Sequence, residues 1–240
     1  MNVVLTPEQR RRYKTHGRKK GCLKVKDEVH LKATLPSLAL GEVADRSQLL
    51  AGFSGSTPSS KLWMEIGFGN GEFLAHLAVL YPEDRFIGID VFLEGVSALL
   101  RRLERQESSN VRVAVDNANI VLMEKIPADS LDRVVINFPD PWPKKRHHKR
   151  RLIQKEFLDL LAPRMRAGGL LSLATDWAEY SEWMLEHLEA HTDFNNMVAG
   201  GGFAPQPDHW LQTSFQSKGQ KAGRPGRHLL FQKALHIRDS

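Results

Sequence analysis

From residue 61 to residue 191 the chain repeats one pattern, a short apolar run followed by a stretch with apolar residues at helical spacing. No other feature restricts the fold as much. LWMEIGF (62–68) has the length and content of a buried strand, and GEFLAHLAVLYP (71–82) carries a helical face that Pro82 ends. RFIGID (85–90) reads as a second strand, LEGVSALLRRLERQ (93–106) as a helix with Leu and Val on one side, and VRVAV (111–115) as a third strand. LDRVVINF (131–138), RLIQKEFLDLLAPRM (151–165), GGLLSLATD (168–176) and WAEYSEWMLEHLEAH (177–191) continue as strand, helix, strand and helix. HLLFQKAL (228–235) is a last strand, expected at the edge of the sheet. Parallel neighbours need long return connections, so the alternation predicts an α/β fold: a doubly wound, mostly parallel sheet with helices on both faces.

The flanks differ in composition. Residues 1–28 are rich in Lys, Arg and Gly without a periodic apolar face, and are expected to be a mobile basic arm. Residues 29–60, ending in AGFSGSTPSS, read as a lead-in region and linker, and 61–240 as the main domain. The chain of 240 residues carries a formal charge of +6, and its cations crowd the arm, residues 144–155 and the C-terminal tail. A polyanionic partner fits that distribution. The single cysteine, Cys22, excludes an intramolecular disulfide framework and a Cys-rich zinc site. The opening MNVVLTPEQRRRYK has no apolar signal core, and no run approaches the ~20 apolar residues that span a bilayer. A soluble cytoplasmic protein, with no membrane and no metal, is the expectation; monomer and homodimer both remain open.

In open α/β sheets the ligand crevice lies beyond the carboxyl ends of the strands. Glu65, Gly67, Gly69 and Gly71 form E-x-G-x-G-x-G at the exit of the first strand, where glycine permits a tight turn and a close approach to ligand. A dinucleotide fingerprint would need Gly or Ala where Glu72 stands, and a carboxylate there would repel pyrophosphate. NAD is therefore disfavoured. A cofactor with a cationic sulfonium, an amino-acid end and no phosphate, such as S-adenosylmethionine, tolerates those carboxylates. Asp90 ends the second strand, where a carboxylate can accept from both ribose hydroxyls. At the end of the third strand, Asn117 or its rival Asp116 can accept from an adenine amino group.

The fourth strand runs into NFPDPWPKKRHHKRRLIQKEF (137–157). Asp140 lies between Pro139 and Pro141, which hold its backbone on a stiff extended loop that presents the carboxylate. Trp142 follows, as a base-stacking ring or as a plug against the core. Lys144, Lys145, Arg146, His147, His148, Lys149, Arg150 and Arg151 then form a cationic run suited to phosphate. Adjacent histidines without further ligands argue for phosphate neighbours rather than a metal.

Taken together, MEIGFGNGEFL, FIGIDV, NFPDPWPKKRHHKRRL, ATDW and TSFQ resemble the bacterial tRNA (guanine-N7)-methyltransferase family over residues 10–233. The resemblance implies a class I Rossmann-like methyltransferase that uses S-adenosylmethionine to form N7-methylguanosine at position 46 in the variable loop of tRNA. It also implies that Glu65, Gly67, Gly69, Gly71, Asp90, Asn117 and Asp140 line the cofactor site, with Asp140 catalytic. Lys144, Asp176, Thr213, Ser214, Phe215 and Gln216 would meet the tRNA; Asp176 reads equally well as an N-cap for the helix after it. Gln216 departs from the family's usual Glu, and Asp90 stands where some relatives have Glu. An adenine-N6 methyltransferase and a catalytically silent RNA-binding protein on the same fold are the competing readings. The extra Asp140 between prolines opposes the first, and intact Glu65, Gly67, Gly69, Asp90 and Asp140 oppose the second.

Overall fold

The computed structural model describes residues 5–13, 23–211 and 225–235. Within them seven strands form one sheet in the order β3-β2-β1-β4-β5-β7-β6. The parallel part comprises β1 (Leu62–Ile66), β2 (Arg85–Asp90), β3 (Val111–Val115), β4 (Leu131–Asn137) and β5 (Met165–Thr175). Alongside β5, β7 (Arg227–Lys233) runs antiparallel, and it pairs on its other side with β6 (Phe194–Asn196). Because β1 has β2 on one side and β4 on the other, strand order reverses there, which opens a crevice at their carboxyl ends.

Side chains alternate across the strands and build a core on each face. Leu62, Met64 and Ile66 of β1 enter one core with Leu122 of α6 (Ala118–Glu124), Leu158 of α7 (Lys155–Leu161) and Met184 of α8 (Ala178–Glu189). Trp63 points the other way, into a core with Leu77 of α4 (Glu72–Leu80) and Leu99 of α5 (Leu93–Arg105). The doubly wound α/β architecture, Rossmann-like with helices on both faces, is thus observed.

Three short-range expectations need correction. The strand at 227–233 is interior rather than an edge, because Asp193 and Lys233 pair at 2.8 Å and bring Phe194–Asn196 alongside it. That outer strand has one apolar residue and no alternation to betray it. The helix expected from residue 151 begins at Lys155, after a 3₁₀ turn over Lys145–Arg150, because Arg151 takes extended backbone (φ −60°, ψ 140°) and its side chain is drawn inward. The chain before residue 61 also contributes structure: α1 (Pro7–Arg12), α2 (Val25–Leu38) and α3 (Arg46–Ala51). From the stretch read as linker, Leu40, Leu49, Leu50 and Phe53 are buried with the sheet, and Leu40 N donates to Val113 O at 2.9 Å. Each such side chain contributes about 1.5–3 kcal/mol of transfer free energy.

Candidate active site

The glycine turn leaves β1 with Gly67, Gly69 and Gly71 all at positive φ (76°, 59° and 72°). Beside Gly67 and Gly69 a side chain would meet nothing within 4 Å, whereas a Cβ on Gly71, the N-cap of α4, would lie 2.7 Å from Leu99. The first two glycines therefore leave room and the third closes the packing. Sequence reading missed Gly95, an isolated glycine in a helical pattern: a Cβ there would lie 2.0 Å from Gly69 O, so α5 presses its backbone onto the turn.

Two carboxylates stand behind this turn. Asp90 is buried and accepts from Gly69 N (2.8 Å) through Oδ2 and from Val91 N (2.7 Å) and Phe92 N (2.9 Å) through Oδ1. It ties the end of β2 to the turn, and burial raises its pKa despite those bonds. Glu65 is only 3% exposed, and its Oε2 has no hydrogen-bond partner among the described residues. Burial, then repulsion by Asp90, pushes its pKa up to about 8 against a smaller opposing pull from the Asn137 amide. That amide lies beside Glu65 without completing a hydrogen bond of normal geometry. A buried carboxyl with an unsatisfied oxygen, beside an open glycine turn, fits a cationic ligand group.

At the end of β3 a cavity of about 500 Å³ opens beside Val91, Asp116 and Asn117. Asn117 caps α6, its Oδ1 accepting from Asn119 N (2.9 Å) and Asn119 Nδ2 (3.2 Å). Asp116 Oδ1 accepts from Asn117 N at 2.7 Å, and Oδ2 is hydrogen-bonded by Arg10. Both residues border the cavity, and the spare accepting capacity lies with Asp116.

Beyond β4 the loop carrying Asp140 is strained on both sides. Phe138 and Trp142 have φ of 49° and 44°, conformations that cost bulky residues about 1–3 kcal/mol each and cluster at functional sites. Asp140 is exposed, and its charge is felt at Asp90 and at Tyr180. The loop is held from behind by Arg151, whose Nε donates to Pro141 O at 2.9 Å and whose two terminal nitrogens both bond Glu179. Its guanidinium also lies over the rings of Tyr180 (4.9 Å) and Trp183 (4.8 Å). Arg151 is 1% exposed, so the cationic run does not present it to phosphate as its sequence position suggested. His148 departs from that expectation too: its ring meets Trp183 edge-on at 5.5 Å, and its Nε2 is buried. Lys144, Lys145, Arg146 and Lys149 remain exposed, while Arg150 lies over the Trp142 ring at 5.1 Å.

Asp176 sits half-buried in the turn after β5, one residue before Trp177, the N-cap of α8. Thr213, Ser214, Phe215 and Gln216 lie outside the described residues. The structure brings Glu65, the glycine turn, Asp90, Asp116 and Asn117 to one end of the sheet and places the Asp140 loop and its cations beside them. Among the described residues there is no cluster of three or more His, Cys, Asp or Glu able to hold a metal, and no helix long and apolar enough to cross a membrane.

An open sheet with a glycine turn, strand-end carboxylates and no phosphate-binding fingerprint defines a class I Rossmann-like methyltransferase. A family model described as "Putative methyltransferase" matches residues 59–229. A tRNA (guanine-N(7)-)-methyltransferase of Magnetococcus marinus is 55% identical over 226 residues, covering 94% of this chain and 89% of the relative. Another protein of that name, from Streptomyces coelicolor, is 49% identical and covers 72% of this chain and 64% of the relative. Among solved structures, the antibiotic-resistance methyltransferase Kmr superposes with a TM-score of 0.50 at 18% identity, covering 81% and 98% of the two chains. The chain belongs to the tRNA (guanine-N(7)-)-methyltransferase family.

Proposed function

We propose that the protein transfers the methyl group of S-adenosylmethionine to N7 of the guanine at position 46 in the variable loop of tRNA, in the cytoplasm. The observation that carries this reading is the strained Asp140 loop, set between the carboxylate-lined turn on one side and the exposed Lys144, Lys145, Arg146 and Lys149 on the other. In that arrangement Glu65 faces the amino-acid end of the cofactor, Gly67 and Gly69 admit its backbone-close portion, Asp90 takes the ribose, and Asn117 with Asp116 borders adenine. The bound cofactor supplies an electrophilic methyl carbon on a sulfonium.

Guanine N7 has an in-plane lone pair and no proton to lose, so the protein needs no strong base. Orientation dominates, and aligning reacting groups can supply about 7–11 kcal/mol of a barrier. Asp140 orients the guanine edge and stabilises positive charge as it develops on the purine. Lys144 and Asp176, with Thr213, Ser214, Phe215 and Gln216, hold the tRNA around that base. Loss of the carboxylate's charge in Asp140→Asn lowers turnover by roughly 10²–10³-fold while cofactor affinity changes by less than about threefold, as single-turnover rates and cofactor titration will measure. Near-normal turnover at saturating tRNA would remove Asp140 from the mechanism. The assignment as a whole is tested by incubating the protein with labelled S-adenosylmethionine and unmodified tRNA, then mapping the product by the backbone lability of N7-methylguanosine. Scission at position 46 is expected; label on adenine, or none, overturns the reading.

A further inference from the structure

The cavity at the end of β3 has a wall that strand-end reasoning does not supply. On its inner side are Val91, Asp116 and Asn117; on its outer side are Pro7, Arg10 and Tyr13 of the N-terminal segment. At about 500 Å³ it falls within the range of small-molecule sites, which runs from ~300 to 1,000 Å³. The outer wall is built, not draped. Thr6 and Gln9 form a reciprocal capping box with Pro7 in the first turn, which starts α1 at a fixed point. Three contacts then fasten it: Leu5 N donates to Glu124 Oε1 at 3.1 Å, and the Arg10 guanidinium bonds both Asp116 and Glu124. Glu124 is the last residue of α6 and only 10% of its side chain is exposed, so one end of this clamp is well shielded from water.

The charges divide along the crevice in a way that suits the two ends of one ligand. Glu65 has no arginine or lysine partner among the described residues and stands at the end where a cation is wanted, and the hydrogen bonds of Asp90 named above are to backbone N–H groups alone. Asp116, by contrast, is already paired with Arg10. Of the residues lining that end, Arg10 and Asp116 offset each other's charge, and a tyrosine and a proline stand opposite a valine. A flat, uncharged heterocycle fits such a slot, while an amino-acid end does not.

We propose that α1 is the outer wall of the adenine subsite and that Arg10 is the positioning residue that holds it there. This rests on the reading of the crevice as an S-adenosylmethionine site and adds the N-terminal helix to it. Cofactor binding and docking of α1 are then linked, each favouring the other by the same factor.

The test uses the full chain with S-adenosylhomocysteine and adenosine as probes, each titrated by calorimetry. Arg10→Ala raises the dissociation constant for both probes by about tenfold, the scale of one charge-assisted hydrogen bond. Deleting residues 1–13, which leaves the sheet untouched, gives at least the same loss. Arg10→Lys, which keeps a cation beside both Asp116 and Glu124, retains binding to within about threefold, which a general loss of stability in Arg10→Ala would not predict. Unchanged affinity in both Arg10→Ala and the deletion, with the wild type binding normally, overturns the proposal and leaves the methyltransferase reading standing. A wild type that binds neither probe overturns both.

Discussion

Two side chains carry most of the local physics of the site, and neither acts by touching a reacting atom. Glu65 is protonated in the free protein up to about pH 8, because burial and the nearby Asp90 both oppose its charge. A folded-state pKa above the unfolded value means that the folded chain holds an extra proton, so stability from this group falls as pH rises from about 4.5 to about 8. Ligand binding has the opposite dependence. A cation beside Glu65 favours the carboxylate, so affinity for S-adenosylmethionine rises with pH to about 8, then levels, and binding at pH 7 releases a proton. Calorimetry in two buffers of different ionisation enthalpy will show that release; Glu65→Gln abolishes it, and its survival in that variant would assign it elsewhere. Arg151 is the second. With Nε on Pro141 O and its fork on Glu179, it holds the residue immediately after Asp140, and it does so from a buried position. Arg151→Met keeps the volume but frees that carbonyl. Losing a charged hydrogen bond of about 1.5–3 kcal/mol predicts a roughly 10–100-fold fall in kcat with cofactor KM little changed, and Arg151→Lys falling between. A kcat unaffected in steady-state assays would show that the loop holds itself.

At the scale of elements, most of the order of strands and helices was legible, because apolar runs such as 62–66 and 85–90 belong to strands buried throughout and the long periodic stretches to helices with one buried side; the short α6 and β6 were not read. The crevice followed from it, since Glu65, Asp90 and Asn117 each stand at a strand end. What escaped the sequence depends on contacts between distant segments. Arg151 looks like any other cation in KKRHHKRR, and only its partners Pro141 and Glu179 distinguish it. Arg10 belongs to a segment with no apolar period, and its significance lies in two carboxylates more than a hundred residues away. Gly95 shows the same dependence and gives a prediction with a clear sign. Propensity alone makes Gly→Ala in a helix stabilising by about 0.5–1 kcal/mol. Here the new Cβ would sit 2.0 Å from Gly69 O, a backbone atom that cannot rotate away. Gly95→Ala therefore destabilises by about 1–3 kcal/mol, lowers Tm by roughly 2–12 °C and weakens S-adenosylhomocysteine binding by shifting the turn. Thermal unfolding with and without ligand will test it, and a higher Tm would mean that α5 does not press on the turn.

For the molecule as a whole, a charge of +6 on 240 residues says little until the cations are sorted by what they do. Arg10, Arg46, Arg101 and Arg151 are committed to carboxylates of the fold, and Arg85 and Arg164 to backbone carbonyls. Such groups cannot release counterions on meeting RNA. His147 is a weaker cation than a free imidazole, because desolvation and then Arg150, Arg146, Lys144 and Lys149 hold its pKa below the usual imidazole value. The cations of the run that stay exposed are Lys144, Lys145, Arg146 and Lys149. If each neutralises one phosphate of a folded RNA, they account for about three to four units of the slope of log K against log salt, at roughly 0.7–0.9 per contact. Replacing Lys145, Arg146 and Lys149 together with Gln should lower that slope by about two to three and weaken tRNA binding at low salt. Cofactor affinity should stay within about twofold, because none of the three reaches the glycine turn. Arg151→Met makes the complementary case: it also removes a cation from the run, yet the slope should not move, since that guanidinium is turned inward. Filter binding across a salt series measures both variants. Equal slopes for the triple variant and the wild type would place the tRNA on another face, and a reduced slope for Arg151→Met would mean that the loop opens on RNA and turns its clamp outward.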